Sequence, residues 1–212
     1  MTQGEIEALT VTMEQAASRL EMDVMKDIVR RIKANSDMTA SAQYQIDRLR
    51  QLGLSDKYIR EQIQTFLKVS DSEMDRIYNQ VTGNEYEKYS GAYESAGIEK
   101  QPFGNHAEIQ SVISSAMKQT GDTFQNLTQT MGFSVVQNGK KVFLPVAQYY
   151  QKTLDNAIPG ISMGVFDYNT VLKKTVQEMT RSGLRTVTYA SGRTMRIESA
   201  ARMALMTGLK QI

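Results

Sequence analysis

The spacing of hydrophobic residues predicts that most of this chain is helical. Apolar side chains recur every three or four positions from residue 5 to residue 33, without an internal Gly or Pro, which predicts one long amphipathic helix. Gly53, as a C-cap, and Ser55, as an N-cap, predict that one helix ends and another begins at this point. A capping box of Ser70 with Glu73 predicts that a further helix begins at Ser70. We therefore expect a compact bundle of short helices to follow the long helix, as far as about residue 95.

The composition changes after this predicted bundle. Residues 96–104 contain two glycines and a proline, which stop regular structure. We interpret 96–104 as a linker between a helical N-terminal region, 1–95, and a second helical region, 105–212.

Two features of the N-terminal region raise the alternative of nucleic-acid binding. Tyr86, Tyr89 and Tyr93 share one helical face, and aromatic rings can stack on bases. The turn at Gly53, flanked by helices and basic residues, could belong to a helix-turn-helix. Many acidic residues surround that turn, so a structural bundle is favoured, and we interpret the tyrosines as core or as a partner surface.

The clearest strand signal is a β-hairpin near 133–144. Asn138 and Gly139 stand between two alternating apolar runs, as in hairpin turns of the primed types. The periodicity predicts helices on either side of the hairpin, at about residues 105–131, 145–158 and 168–181.

The last thirty residues, 183–212, combine a short strand near 185–189, a turn and a patterned helix. Glu198 and Arg202 are four positions apart on this helix, which predicts an intrahelical ion pair. One face of the helix carries small and apolar residues, which predicts a close packing contact. These residues are Ile197, Ala201, Ala204, Leu205 and Gly208. The fold class predicted for the whole chain is mainly α: a multi-helix bundle with one hairpin and one short strand.

Composition is that of a folded protein with no membrane-spanning segment. The chain has 212 residues, of which 41% are hydrophobic and 23% charged, and it contains no Cys. No apolar run approaches the roughly 20 residues that a membrane span needs, and the N-terminus lacks the pattern of a signal peptide. We therefore expect a protein kept in the cytoplasm or in a particle assembled there.

The positive charge is concentrated near the C-terminus. From Lys173 onward there are eight Lys or Arg residues and two Glu, although the net charge of the chain is only +2. Such a segment can be a solvated face, can bind nucleic-acid phosphates or can dock on an acidic partner. The candidate contacts to a partner or to phosphates are Arg185, Arg193, Arg196 and Arg202.

No pattern in the chain predicts catalysis, a cofactor or a metal site. His106 is the only histidine, and with no Cys it lacks the partners that a metal ligand or a catalytic base requires. We interpret it as a capping or surface residue. Neither a nucleophile elbow nor a phosphate-binding glycine loop is present. We therefore expect that the protein is not an enzyme.

The C-terminal segment resembles the phage minor capsid protein 2 family. The similarity consists of a Val-x-Tyr strand, a Ser-Gly-Arg turn and an Ile-Glu-x-Ala-x-Arg helix that ends in Thr-Gly. The matching residues are Val187, Tyr189, Ser191, Gly192, Arg193, Ile197, Glu198, Ala200, Arg202, Thr207 and Gly208. The resemblance covers about 160–212. The region before it is helical, as in the family, but its individual residues match the family less well.

The resemblance implies a minor structural protein of the head of a tailed bacteriophage or prophage. It implies binding to the portal protein, the major capsid protein or both during head morphogenesis, in a symmetric multi-copy assembly. It also implies a virion location after assembly in the bacterial cytoplasm, with non-specific contact to double-stranded DNA during packaging as a further expectation. Longer members continue beyond the Thr-Gly pair, so we expect this chain to be an N-terminal portion. The alternative is a nucleic-acid-binding helical protein that uses the basic C-terminal segment.

Overall fold

The computed structural model of the protein describes residues 3–34, 41–162, 168–187 and 192–210. The first half of the chain forms α1 (Gln3–Leu9), α2 (Val11–Ala34), α3 (Ser41–Lys88), α4 (Ser90–Ser95) and a 3₁₀ turn (Phe103–Asn105). The second half forms α5 (Ala107–Gln129), β1 (Met131–Gln137), β2 (Lys140–Pro145), α6 (Val146–Ser162), α7 (Tyr168–Ser182), β3 (Arg185–Val187), β4 (Thr194–Arg196) and α8 (Ile197–Leu209). The predicted mainly α fold class is confirmed.

The four strands form one antiparallel sheet in the order β2-β1-β3-β4. Asn138 and Gly139 have φ values of 49° and 75°, the two positive values of a type I′ turn, so the predicted hairpin is confirmed. The predicted strand near 185–189 is β3. The sequence did not predict β4, in which Met195 lies opposite Thr186. Three residues are too few to show the alternation that reveals a strand.

The long helix predicted from residue 5 to residue 33 is divided at Thr10. The Thr10 hydroxyl donates a hydrogen bond to the carbonyl oxygen of Glu7 over 2.7 Å. Such a local bond offers the backbone an alternative to the helical ladder, and α2 begins again at Val11. The prediction of one unbroken helix is therefore wrong at this position.

The bundle of short helices predicted before residue 95 is replaced by one helix. α3 has 48 residues and is about 72 Å long at the α-helical rise. Gly53, Ser55 and Ser70 all lie inside it. Ser70 caps no helix, because its hydroxyl donates to the carbonyl oxygen of Phe66, one turn back, over 2.8 Å. A buried face continues across this position and outweighs the local cap signal. That face contains Phe66, Met74, Ile77, Tyr78 and Val81.

Two helix ends after α4 also differ from the predictions. α5 ends at Gln129 rather than near residue 131, because Met131 is already paired with Thr186 of β3. α6 continues through Pro159 as far as Ser162 rather than ending near 158. A proline inside a helix removes one backbone hydrogen bond. α6 remains helical after Pro159 in spite of this loss.

α7 ends at Ser182, close to the predicted end near 181, and a glycine follows it. Gly183 has a φ of 64°, and its N–H donates to the carbonyl oxygen of Met179 over 2.8 Å, which closes the helix. The helical periodicity of the sequence predicts that Leu172, Val176 and Met179 face inward. Met179 is buried and Leu172 packs against the core, but Val176 is 38% exposed, and Thr175 is buried instead.

α8 lies at the centre of the core. It packs against α2 and α5, and α3 packs against α2 and α5 in turn. The predicted apolar face of α8 is confirmed, since Ile197, Ala201, Ala204, Leu205 and Gly208 are all buried. One hydrophobic cluster includes residues from both sides of 96–104. The division of the chain into 1–95 and 105–212 stays a prediction.

Candidate functional site

The four candidate arginines do not form one patch of outward-facing guanidinium groups. Arg185, on β3, donates from Nε to the Thr194 hydroxyl over 3.3 Å and from Nη1 to the carbonyl oxygen of Ser182 over 3.2 Å. It also bonds to the carbonyl oxygen of Thr194 over 3.4 Å. Arg185 therefore joins the end of α7 to β4. Arg193, by contrast, is exposed.

Arg196, the last residue of β4, lies against Glu21 of α2. Its Nη2 is 3.7 Å from Glu21 Oε1. The guanidinium covers Gly183, where a side chain would collide with it. Burial raises the pKa of Glu21 above its ordinary value; Arg196 opposes the rise and the neighbouring Glu198 adds to it. Arg196 is therefore the counter-ion of a carboxylate that is largely removed from water.

Arg202 also reaches across to the N-terminal helices. Its Nε is 3.4 Å from Glu14 Oε1 and its Nη2 is 3.6 Å from Glu7 Oε1. The intrahelical pair predicted between Glu198 and Arg202 is therefore wrong, because Arg202 pairs with α1 and α2 and Glu198 faces Glu21. Arg185, Arg196 and Arg202 thus make contacts within the fold.

Several residues of the family-like segment have structural roles. Ile197 and Ala200 are buried in α8, and Gly192 has a φ of 64°, which suits its place in the turn. Gly208 faces a hydrogen bond of 2.7 Å between the Tyr78 hydroxyl and Thr120 Oγ1. Val187 ends β3, and Thr207 is exposed on α8. Tyr189 and Ser191 lie outside the described residues.

The single histidine is held in an aromatic cluster that sequence reasoning missed. The Tyr86 hydroxyl lies 2.7 Å from His106 Nε2 and donates to the carbonyl oxygen of Gln101 over 2.6 Å. Lys100 Nζ sits 4.5 Å from the centre of the Tyr86 ring, in cation–π geometry. His106 occupies the N-cap position of α5, as predicted, but its side chain makes no capping bond. It fastens the connector to α3 instead.

A groove of about 370 Å³ lies between the end of α3 and the start of α5, beside this cluster. Tyr89 and Val112, which line it, are 63% and 51% exposed, respectively. The buried hydroxyl of Thr82, also in the lining, has no hydrogen-bond partner. Two carboxylates stand among the lining residues, on Glu85 and Glu108. We call this feature the tyrosine groove.

A second concavity, of about 330 Å³, lies where β1, α6 and α7 meet. The Tyr149 hydroxyl donates to Glu178 Oε2 over 3.1 Å in its wall. Burial, with the negative charge of Glu178, raises the pKa of Tyr149 well above its usual range, so the phenol stays protonated. Lys152 of α6 and Lys174 of α7 also line this space. We call it the lysine cleft. The sequence did not single out these lysines, because only tertiary packing brings them together.

Two further findings concern metal binding and membrane-spanning helices. No three His, Cys, Asp or Glu side chains are close enough to hold a metal ion in the part of the chain that the structure describes. Among the helices within the described ranges, none is long and apolar enough to cross a membrane.

Comparison with known proteins extends the resemblance from the C-terminal segment to nearly the whole chain. The family model for phage minor capsid protein 2 matches residues 3–212. There is no significant match among curated proteins or among solved structures. The match includes α1 to α4, where sequence reasoning found similarity of character only. Because it covers the helical core as well as the strand-turn-helix segment, the chain belongs to the phage minor capsid protein 2 family, a family of structural proteins of the phage virion.

Proposed function

We propose that this protein binds the portal protein, the major capsid protein or both during assembly of the phage head. The observation that carries the proposal is the family match over residues 3–212. The contacts of the candidate residues agree with a structural role, since His106, Arg185, Arg196 and Arg202 each bond to other parts of the fold. We expect several copies to be arranged around a symmetric partner in the virion.

The tyrosine groove is the surface we propose for this docking. Exposed aromatic and aliphatic groups side by side are typical of the centre of protein interfaces, where tyrosine often contributes strongly to affinity. Tyr89, between α3 and α4, and Val112, on α5, present such groups in the lining of the groove.

Co-expression with the portal protein of the same phage tests the proposal. The full chain should co-purify with a tagged portal protein, and treatment with nuclease should leave the complex intact. If the chain is absent from the purified portal, or leaves it after nuclease treatment, direct portal binding is contradicted. The same experiment with the tagged major capsid protein tests the other partner.

Contact with packaged DNA is the second function we propose, and the positive charge of the C-terminal segment supports it. Arg193, Arg196 and Arg202 are all exposed there. A duplex gel shift at low salt should therefore be lost when all three are replaced by Ala, and it should weaken steeply with added salt. Absence of any shift at low salt would contradict DNA binding by this chain.

A further inference from the structure

One edge of the β1 backbone points away from the hairpin. The two-residue turn makes Gln137 and Lys140 a hydrogen-bonded pair, and the bonds to β2 then run through alternate residues of β1. Val135 is one of these bonded residues. Ser134 and Val136 therefore direct their N–H and C=O groups to the opposite edge.

Only part of that opposite edge is covered. β3 pairs with Met131 and Gly132 alone. The N–H of Ser134 donates to the hydroxyl of Ser182 over 2.8 Å. Val136 has no strand partner on this side among the described residues, and it is 68% exposed. An unpaired strand edge is a template for the addition of another strand.

The lysine cleft lies against this edge. Val135 and Val136 form one wall, and Lys152 and Lys174 stand on the helices that form the others. Neither lysine makes an ion pair or hydrogen bond within the described part of the chain. The Glu178 carboxylate accepts a hydrogen bond from Tyr149 and forms no ion pair with either ammonium group. Two cations therefore flank an open backbone edge.

We propose that an extended acidic segment of a partner protein adds as a strand to the edge of β1 at Val136. Its backbone would bond to the N–H and C=O of Val136, and its carboxylates would lie on Lys152 and Lys174. This is β-strand addition, in which main-chain bonds give affinity and side chains at alternate positions give specificity. The proposal does not depend on the tyrosine groove or on the identity of the portal as partner.

The geometry favours a peptide over duplex DNA. A strand edge offers an alternating donor and acceptor, which another peptide backbone matches and a row of phosphates does not. The cleft is concave, and its wall contains the Glu178 carboxylate, which repels a polyanion. An extended peptide can place its acidic side chains on the lysines and keep uncharged ones opposite Glu178.

A displayed library of random peptides provides the probe. The immobilised full chain would select binders, and a synthetic copy of an enriched peptide would be titrated by fluorescence anisotropy. We expect Asp or Glu at alternate positions of the enriched peptides. Lys152→Glu with Lys174→Glu should weaken binding about tenfold or more, because both carboxylate contacts become repulsive. The matched control is Lys68→Glu with Lys118→Glu, the same charge change on exposed lysines of α3 and α5.

Val136→Pro tests the backbone contact separately. It removes the N–H that faces the cleft and spares the bonds to β2, which run through the neighbouring residues. This variant should lose binding, whereas Val136→Ala, which keeps the N–H, should stay within about twofold of the parent. Thermal unfolding of each variant confirms that it is folded, and the lysine pair supplies an independent test if Val136→Pro is not.

Several results would overturn the proposal. The first is that selection from the library enriches no acidic peptide. The second is that the enriched peptides bind the double lysine variant as tightly as they bind the parent. Another is a dimer of this chain that Val136→Pro dissociates, because the edge would then pair with a second copy.

Discussion

Gly208 lies where α8 packs closely against α3 and α5. A methyl group at this position would overlap the Tyr78 hydroxyl and Thr120 Oγ1, which are joined by a hydrogen bond of 2.7 Å. Both partners of that bond are buried, so neither can turn to water when it is displaced. Gly208 of the family-like segment therefore has a packing role.

Gly208→Ala should destabilise the protein although alanine is the better helix former. We expect the free energy of unfolding to fall by about 1–3 kcal/mol, the usual cost of overpacking a tight core. Gly121→Ala on α5 is the matched control, because its new methyl group would meet only Met74, at 3.6 Å. That control should gain up to about 1 kcal/mol from helix propensity. Urea denaturation of both variants measures the difference, and equal stability would contradict the packing role of Gly208.

At the scale of elements, charged pairs fasten the C-terminal strand and helix to α2. Arg196 lies on Glu21, and Arg202 lies on Glu14. The first of these contacts includes a buried carboxylate with a raised pKa and one oxygen that has no hydrogen-bond partner. This junction should therefore respond to pH.

Glu21→Gln tests that response. A carboxyl whose pKa is raised by folding binds its proton more tightly in the native state, so its stabilising contribution is complete below its ordinary pKa and declines as pH rises through the raised value. The amide variant has no such titration. We expect it to match the parent near pH 4 and to be the more stable protein, with the higher Tm, at pH 7.

Glu99→Gln, at an exposed position, controls for the loss of one negative charge. A Glu21→Gln variant that is less stable than the parent by the same amount at pH 4 and pH 7 would contradict the expected linkage. That result would mean that the contact with Arg196 outweighs the burial of the carboxylate.

The elements that the sequence predicted correctly are those with strong local signals. The Asn138-Gly139 turn needs two positive φ values, and few other residue pairs supply them without strain. Gly183 ends α7 for a similar reason. The signals at Gly53 and Ser70 were also local, but α3 passes through both, because its buried face continues across Ser70.

At the scale of the whole molecule, the sequence predicted the residues of the core better than the surfaces. The pattern of α8 revealed its buried face, since burial follows helical periodicity. The partners of Arg196 and Arg202 lie on helices about 180 residues earlier in the chain, and no spacing rule reveals them. The lysine cleft was missed for the same reason, because β1, α6 and α7 form it only when they pack.

The central claim is that this family member docks on another head protein through the tyrosine groove. Tyr89→Glu with Val112→Glu places two charges among its exposed apolar groups, and burying an unpaired charge at an interface is costly. Met22→Glu, at an apolar side chain of α2 that is 50% exposed, is the matched control. The direct measurement is the amount of each variant that co-purifies with the tagged portal protein. We predict that the parent and Met22→Glu are retained and that the double variant is lost although it is folded. Retention of the double variant at the level of the parent would contradict docking through the groove.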